Sequence, residues 1–309
     1  MKNTPTPSIR IATSSVIASC FLAISSFGLA WFPALATAAE GDPDVLRREN
    51  LVAWCIVPFD AKQRDPAARA EMLVSLGIDR CAYDWRAQHV PTFEQEILEY
   101  RKHGIEFFAF WSVHEAAFEL FEKYDLHPQI WQTLPDNAGT SQAEKVESAV
   151  REMLPLAERT RSMGCKLGLY NHGGWGGQPT NLVAVCERLR ELGMAHVGIV
   201  YNFHHGHSQI DEWAANWKLM KSYVLCLNLN GMNRQEQPKI LGIGKGEYEL
   251  EMIRTVVDSG YDGPIGILDH RNELDAYESL LENRDGLRWI RNELHQPGTG
   301  GPKPTTTSE

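Results

Sequence analysis

The sequence has little of what marks a nucleic-acid binder, a disulfide-bonded scaffold or a zinc-thiolate protein. Its 309 residues carry 30 basic against 40 acidic side chains, a net charge of −10, which disfavours binding to a phosphate backbone. There are only six cysteines and no C-x-x-C pair, so neither a zinc-thiolate site nor a disulfide framework is indicated. No glycine-rich phosphate loop directly follows a predicted strand, which disfavours a dinucleotide-binding fold.

The first 38 residues have the layout of a secretory signal peptide. Lys2 and Arg10 are their only charged residues, an apolar stretch runs from residue 11 to 35, and residues 36–38 form an A-x-A cleavage signal. Cleavage after Ala38 leaves 28 basic and 40 acidic residues, and no later apolar run long enough to cross a membrane. Two alternatives stay open. The apolar stretch could remain as an uncleaved membrane anchor, or the protein could be a lipoprotein, because the residues up to Cys20 resemble a lipobox. We expect an exported protein, periplasmic or extracellular.

Beyond the leader, apolar runs of strand length alternate with amphipathic stretches of helical period. This alternation predicts a parallel sheet, and eight units in a chain of this length predict a closed (β/α)8 TIM barrel, an α/β fold. The barrel is predicted to span residues 39–295, and the Pro-, Gly-, Thr- and Ser-rich residues 296–309 to be a disordered tail. The predicted strands are residues 51–57, 80–85, 106–113, 129–134, 166–171, 197–202, 223–230 and 264–269.

Polar and aromatic side chains are concentrated where the predicted strands end. In α/β barrels the active site lies at the carboxyl ends of the strands, so these residues form the candidate site. Tryptophans in or after strands one to five add indole faces that can stack on a sugar ring, with Trp111 and Trp175 as candidates. The polar candidates are Asp84, Asn171, His172, Asn202, His205, Asn228, Asn230, Asp269 and His270.

Strand seven indicates which of its faces lines the barrel. Cys226, Asn228 and Asn230 share one face, while the intervening residues are leucines that suit the helix layer. A buried asparagine costs free energy unless it is hydrogen-bonded. The asparagines are therefore predicted to face the interior and to meet either a polar network or a ligand. By the same parity, Tyr170 and His172 share one face of strand five.

Histidines cluster after strands five and six. His172, His204, His205 and His207 occur in two neighbouring strand-end loops, which favours a functional role for at least one of them. If the chain stays extended after strand six, His204 and His205 point in opposite directions. We expect His205 to face the pocket, His204 to point away from it, and His207 to be solvated.

At these strand ends the sequence resembles the xylose-isomerase-like barrel superfamily. That superfamily includes sugar isomerases and epimerases, inosose dehydratase-type enzymes and endonuclease-IV-type enzymes. The resemblance covers roughly residues 51–290. It rests on GLYNHGG after strand five, VGIVYNFHHGH at strand six, CLNLNGM at strand seven, ILGIGKGEYE in the following loop and GPIGILDH at strand eight.

The sequence departs from the superfamily at the positions that hold its divalent metal. Tyr170 stands where the resemblance implies an acidic ligand, Asn202 replaces an aspartate, and Asn228 replaces a histidine. Neutral amides and a phenol are poor ligands for a divalent ion. The sequence therefore implies no definite cofactor, and the dependence of activity on a metal should be weak or absent. If a divalent metal binds weakly, the candidate ligands are His172, His205 and Asp269.

The resemblance implies an enzyme that transfers a proton next to a carbonyl of a carbohydrate or keto-sugar. The enzyme would be an isomerase or an epimerase, or else a lyase or hydratase. His172 and His205 are then the predicted base and acid, and Asp269 orients a histidine or accepts a sugar hydroxyl. The predicted substrate-binding residues are Asp84, Trp111, Asn171, Trp175, Asn202, Asn228, Asn230 and His270.

A second interpretation stays open, in which the barrel binds a carbohydrate without catalysis because its metal site has decayed. An endonuclease is disfavoured, since such enzymes hold several zinc ions with many His, Asp and Glu ligands that this sequence does not supply. We expect a small-molecule carbohydrate as partner, no nucleic acid, and no membrane after signal cleavage. The sequence determines neither the sugar nor the oligomeric state.

Overall fold

The computed structural model of the protein describes residues 43–135, 139 and 141–305. The predicted signal peptide, its cleavage site and Cys20 lie outside the described residues. No helix in the described part of the chain is both long and apolar enough to cross a bilayer.

Eight parallel strands form a closed barrel in chain order, and β8 pairs with β1. The (β/α)8 architecture predicted from the sequence is confirmed. The strands are β1 Leu51–Trp54, β2 Arg80–Asp84, β3 Glu106–Trp111, β4 Gln129–Thr133, β5 Leu167–Tyr170, β6 Val197–Asn202, β7 Val224–Leu229 and β8 Ile265–Leu268. The helices are α1 Pro66–Leu76, α2 Phe93–His103, α3 Glu115–Lys123, α4 Gln142–Ser162, α5 Pro179–Glu191, α6 Trp213–Met220, α7 Glu249–Asp258 and α8 Ala276–His295.

Local sequence signals set the ends of the helices, as α1 illustrates. The Asp65 carboxylate accepts a hydrogen bond from the Ala68 N–H at 2.9 Å, and Pro66 occupies the first helical turn, where its missing N–H costs nothing. Gly77 ends the helix with φ 65°, a left-handed conformation that glycine adopts without steric cost. The chain then enters β2, so these caps fix where the second strand begins.

Two apolar layers are separated by the sheet. The larger layer lies between the strands and the helices, and it holds the alternate residues of each strand, such as Leu227 and Leu229. The smaller layer fills the barrel interior with Val52, Trp54, Cys55, Ala82, Phe108, Ala109, Trp131, Tyr170, Val200, Cys226 and Leu268. The orientation predicted for strand seven is therefore confirmed for Leu227 and Leu229 outside and for Cys226 inside, whereas Leu225 packs against the interior layer.

Asn228 occupies interior space that its neighbour on β8 leaves free. Asn228 pairs in register with Gly266, and a Cβ atom on Gly266 would lie 1.7 Å from Asn228 Oδ1. Only a residue without a side chain fits beside the amide. The pairing therefore ties an asparagine on one strand to a glycine on the next.

β1 ends three residues earlier than predicted because the backbone turns at Cys55. Cys55 has φ 62°, a left-handed conformation that is unusual for a residue with a Cβ. By alternation Cys55 would face the helix layer, as Ala53 does, yet it lies in the interior layer beside Trp54. All five cysteines in the described residues are free and buried, as expected of small apolar side chains.

The end of the chain contacts α8 and the loop before α7. The N–H groups of Gly298 and Gly300 donate to the Glu293 carboxylate at 2.9 and 2.7 Å. The Lys303 ammonium donates to the Gly246 carbonyl at 2.5 Å. Residues 296–305, for which the composition predicts disorder, thus make specific polar contacts in the structure.

Candidate active site

A pocket opens at the carboxyl end of the barrel, where the sequence places the site. It is a small cavity of about 100 Å³. Side chains from six of the eight strand ends converge on it. Five predicted site residues line it: Asp84, Trp111, His172, His205 and His270. The other lining residues, which are not among the predicted site residues, are Trp54, Cys55, Phe59, Arg86, Tyr170 and His204.

Asp84, the last residue of β2, is the only carboxylate among the described residues that line the pocket. It is 1% exposed, and neither of its side-chain oxygens has a hydrogen-bond partner of normal geometry in the described residues; the Val57 backbone and the Cys55 thiol interact with it more weakly. Burial raises the pKa of Asp84 to about 7, and the charge of Arg86 opposes that rise. Arg86 Nη1 lies 3.9 Å from Asp84 Oδ2, an ion pair without a hydrogen bond. A buried carboxyl that titrates near neutrality beside a charge partner is a strong candidate for a functional group.

The direction expected for His204 after β6 is wrong, whereas His205 lines the pocket as expected. Residues 203–205 form a turn of 3-10 helix, so the chain does not stay extended and both His204 and His205 line the pocket. Their ring centroids are 3.6 Å apart, and His205 lies 4.5 Å from His172. Burial is the main cause that lowers the pKa of His205 to about 3 and that of His204 well below its usual value. Both rings are therefore uncharged at neutral pH.

His207 was expected to be solvated, and this expectation is wrong. It is 2% exposed, with Nδ1 2.6 Å from the Asn233 carbonyl oxygen and Nε2 3.0 Å from that of Lys239. His207 therefore ties the loop after β6 to the loop after β7, and it supports the wall of the site from outside the pocket.

The two polar residues after β8 point in opposite directions. Asp269 is fully buried, its Oδ1 accepts a hydrogen bond from Ser279 of α8 at 2.8 Å, and it does not line the pocket. Burial raises the pKa of Asp269 to about 7, despite the hydrogen bond from Ser279. His270 lines the pocket, with burial and then the Arg86 charge lowering its pKa to about 4. Strand parity agrees with this arrangement, since Gly266, Leu268 and His270 share one face of β8.

The predicted asparagines stabilise the barrel rim rather than line the pocket. Asn171 accepts a hydrogen bond from the Asn202 N–H at 2.6 Å and donates to the Asn202 carbonyl at 3.1 Å, joining the ends of β5 and β6. The Asn202 amide donates to the Tyr170 hydroxyl at 2.5 Å. The Asn228 amide nitrogen lies in the interior without a partner in the described part of the chain, and the Asn230 amide donates to the Gly231 carbonyl. The structure thus places all four outside the set of residues that line the pocket.

The aromatic candidates also divide. The indole N–H of Trp111 is buried without a partner in the described residues, and this side chain lines the pocket. Trp175 donates its indole N–H to Gln142 at 3.0 Å and does not line the pocket. Phe59 lies in the loop after β1, with its ring 3.9 Å from that of His270. Phe59 lies in a loop, where no pattern of alternating residues predicts which side chains face the pocket. Arg86 lies two residues after Asp84, so its position at the end of β2 could have made it a candidate.

The residues at the metal positions of the resembling superfamily do not fit a divalent ion. The Tyr170 hydroxyl accepts from Asn202, Asn228 Oδ1 accepts from the Cys226 thiol at 3.5 Å, and Asp269 is directed to α8. Two amides and a phenol offer little affinity for such a cation. Within the described ranges no group of three or more His, Cys, Asp or Glu side chains is placed to hold a metal. The weak or absent metal dependence stays a prediction.

No protein-family profile matches the sequence, and no curated protein matches it either. Solved structures do. An IOLI protein with a bound zinc atom has a TM-score of 0.60 at 11% identity, covering 79% of this chain and 99% of its own. The 3-keto-D-glucoside 4-epimerase YcjR from E. coli has a TM-score of 0.56 at 14% identity, with coverages of 78% and 98%. The D-psicose 3-epimerase from Clostridium cellulolyticum, solved with D-tagatose, has a TM-score of 0.55 at 12% identity, with coverages of 79% and 99%.

At such low identity these likenesses speak for the fold alone. They nevertheless cover nearly the whole length of each matched chain, so the entire barrel corresponds. The closed parallel barrel and these matches agree with the resemblance noted in the sequence. The protein therefore has the (β/α)8 barrel fold of the xylose-isomerase-like enzymes.

Proposed function

We propose that the protein is an enzyme of the sugar isomerase and epimerase type, with dehydration as a close variant. In this proposal it transfers a proton next to a carbonyl of a carbohydrate or keto-sugar. One observation carries the proposal: the Asp84 carboxyl is buried in the pocket without a hydrogen-bond partner in the described residues. A buried polar group without a hydrogen-bond partner destabilises the folded state. Such a group is typically kept where it contacts a ligand.

Asp84 is the proposed base. A general base works best when its pKa lies near the operating pH, and burial raises the pKa of Asp84 to about 7. His205, with a pKa of about 3, is a weak base and stays uncharged, so it serves as a hydrogen-bonding group. This assignment differs from the prediction made from the sequence, in which His172 and His205 were the base and acid and Asp84 bound the substrate.

The charge that develops on the substrate needs donors. The proton leaves a carbon beside the carbonyl for the Asp84 carboxylate, and the electron pair moves onto the carbonyl oxygen. Arg86, the Trp111 indole N–H and the Tyr170 hydroxyl all reach the pocket as donors. Burial raises the pKa of Tyr170 well above its usual value, so its hydroxyl keeps its proton. Fixed donors aimed at a developing oxyanion are among the largest contributions to enzymatic rates.

Return of the proton decides the product. Delivery to the neighbouring carbon gives an isomer, delivery to the opposite face of the same carbon gives an epimer, and loss of an adjacent hydroxyl gives a dehydrated product. Each outcome begins with the same exchangeable C–H bond. A test of that bond therefore tests the proposal whichever sugar is the substrate.

The experiment is hydrogen exchange in deuterated water. The purified protein is incubated with a panel of aldoses, ketoses and keto-sugars, and NMR follows deuterium entering the carbon beside the carbonyl. We expect exchange with at least one sugar, and its loss in Asp84→Asn. Asp79→Asn, an exposed aspartate before β2, is the matched control. Sugars that bind without exchange would contradict the proposal and favour the carbohydrate-binding barrel without catalysis.

Export is a further part of the proposal. It rests on the leader sequence, because residues 1–38 lie outside the described part of the chain. An exported enzyme would meet free or oxidised sugars rather than phosphorylated cytosolic ones. Fractionation of producing cells, with the protein located by immunoblot, tests this; protein confined to the cytosol would contradict it.

A further inference from the structure

Arg86 brings a permanent positive charge to the pocket. Its guanidinium carbon lies 5.4 Å from the Phe59 ring centroid and 5.7 Å from that of Trp111. Two aromatic rings thus hold the planar group at the pocket wall. Its Nη1 donates to the Trp85 carbonyl at 2.7 Å, and the side chain is 39% exposed. The remaining N–H groups are accessible to a ligand.

The pocket neutralises this charge only in part. Asp84 is its nearest carboxylate, and a pKa of about 7 leaves Asp84 only partly ionised near neutrality. Burial keeps His204, His205 and His270 uncharged, and Arg86 and Lys239 are among the charges that lower the pKa of His270 further. Among the described residues that line the pocket, Arg86 is therefore opposed by at most one negative charge, that of ionised Asp84, although the whole chain has a net charge of −10.

Unused donors add to that field. The Trp111 indole N–H can only donate, and it is buried without a partner in the described residues. The Tyr170 hydroxyl accepts from Asn202, which leaves its own proton free to be donated toward the pocket. A ligand that satisfies Arg86 and Trp111 together must supply acceptors and negative charge.

We propose that the substrate carries a carboxylate, as a sugar acid such as a uronate or a keto-acid does, and that Arg86 recognises it. This inference rests on the proposed function, which it narrows to one class of substrate. A carboxylate is planar and matches the forked donors of a guanidinium. A phosphoryl group carries more charge, and no second Arg or Lys occurs among the described residues that line the pocket.

The test compares matched ligands by calorimetry. Glucose is paired with glucuronate, galactose with galacturonate, and glucose 6-phosphate represents the phosphorylated class. We expect each protein–ligand Kd to favour a uronate over its neutral parent by about tenfold or more, since hydrogen bonds to charged groups are roughly twice as strong as those between neutral groups. Arg86→Gln should weaken uronate binding by about 10- to 100-fold and change neutral-sugar binding far less. Arg86→Lys, which keeps the charge, should restore part of the loss.

Arg151→Gln is the control, because Arg151 is exposed on α4 and is not among the residues that line the pocket. Thermal unfolding of every variant shows whether the fold is kept. If no uronate binds more tightly than its neutral parent, or if the phosphate ester binds best, the inference is overturned. Arg86-dependent uronate binding without deuterium exchange would support the inference while the proposed function fails. Deuterium exchange on neutral sugars without any preference for the acid would support the proposed function and overturn the inference.

Discussion

Replacing Asp84 with asparagine should remove activity and at the same time stabilise the protein. The reason is that Asp84 is 1% exposed and has no hydrogen-bond partner in the described residues, so its ionised form is costly in the folded state. Asparagine has nearly the same shape and cannot ionise. Opposite effects on function and stability are typical of residues that are kept for chemistry.

The size of the effect follows from proton linkage. The pKa of Asp84 is about 7 in the folded chain, against about 3.8 as the ordinary value. Between these values the folded state binds the additional proton, so its stability falls as the pH rises from about 4 to 7. A shift of roughly three units corresponds to about 4 kcal/mol at pH 8. The protonated carboxyl and the asparagine amide lack partners alike, so the two chains should have similar stability near pH 4, and the expected gain at pH 8 is about 2–4 kcal/mol.

The assay is thermal unfolding of wild type and Asp84→Asn between pH 4 and pH 8. At pH 8 the variant should melt roughly 4–8 °C higher, and the two should converge near pH 4, where the carboxyl is protonated in both states. Asp269 also has a pKa of about 7, but it contributes equally to the stability of both proteins. The difference between the two curves therefore reports Asp84 alone. Asp79→Asn should follow wild type throughout. A variant that is no more stable than wild type at pH 8, or a difference that does not change with pH, would refute the reasoning.

Four further results are expected. His204→Ala and His205→Ala should each slow deuterium exchange by about 10²–10³-fold, since both rings reach the pocket; an unchanged rate for one would remove it from the site. Gly266→Ala should destabilise the fold by about 1–3 kcal/mol in denaturant unfolding, and Asn228→Ala in the same chain should recover part of this; full stability of the single variant would contradict the close contact. Chelation should leave melting temperature and exchange rate unchanged, whereas a stoichiometric metal whose removal abolishes exchange would show that the pocket does hold a metal. N-terminal sequencing of the exported protein should begin near Ala39, and a chain that still starts at Met1 would count against cleavage.

The barrel, and the end at which its pocket lies, could be predicted from the order of residues alone. Strand and helix periods are local properties, and eight alternating units leave few ways to bury their apolar faces. The side-chain parity of a strand is equally local, which is why Tyr170 and His172 were placed correctly on β5, and Leu227 and Leu229 on the outer face of β7. The same rule applied to β8 would have chosen His270 over Asp269.

Which candidates meet in the pocket depended on contacts that form only in the folded chain. The turn at residues 203–205 brought His204 into the pocket, because a 3-10 turn breaks the alternation on which parity depends. Asn171 and Asn202 pair across neighbouring strand ends, and Trp175 pairs with Gln142 on another helix, so none of them remained for a ligand. Such pairings join residues that are far apart in the sequence. The state of Asp84 depends in the same way on closure of the whole barrel, because only burial by distant segments withholds water from its carboxyl and raises its pKa.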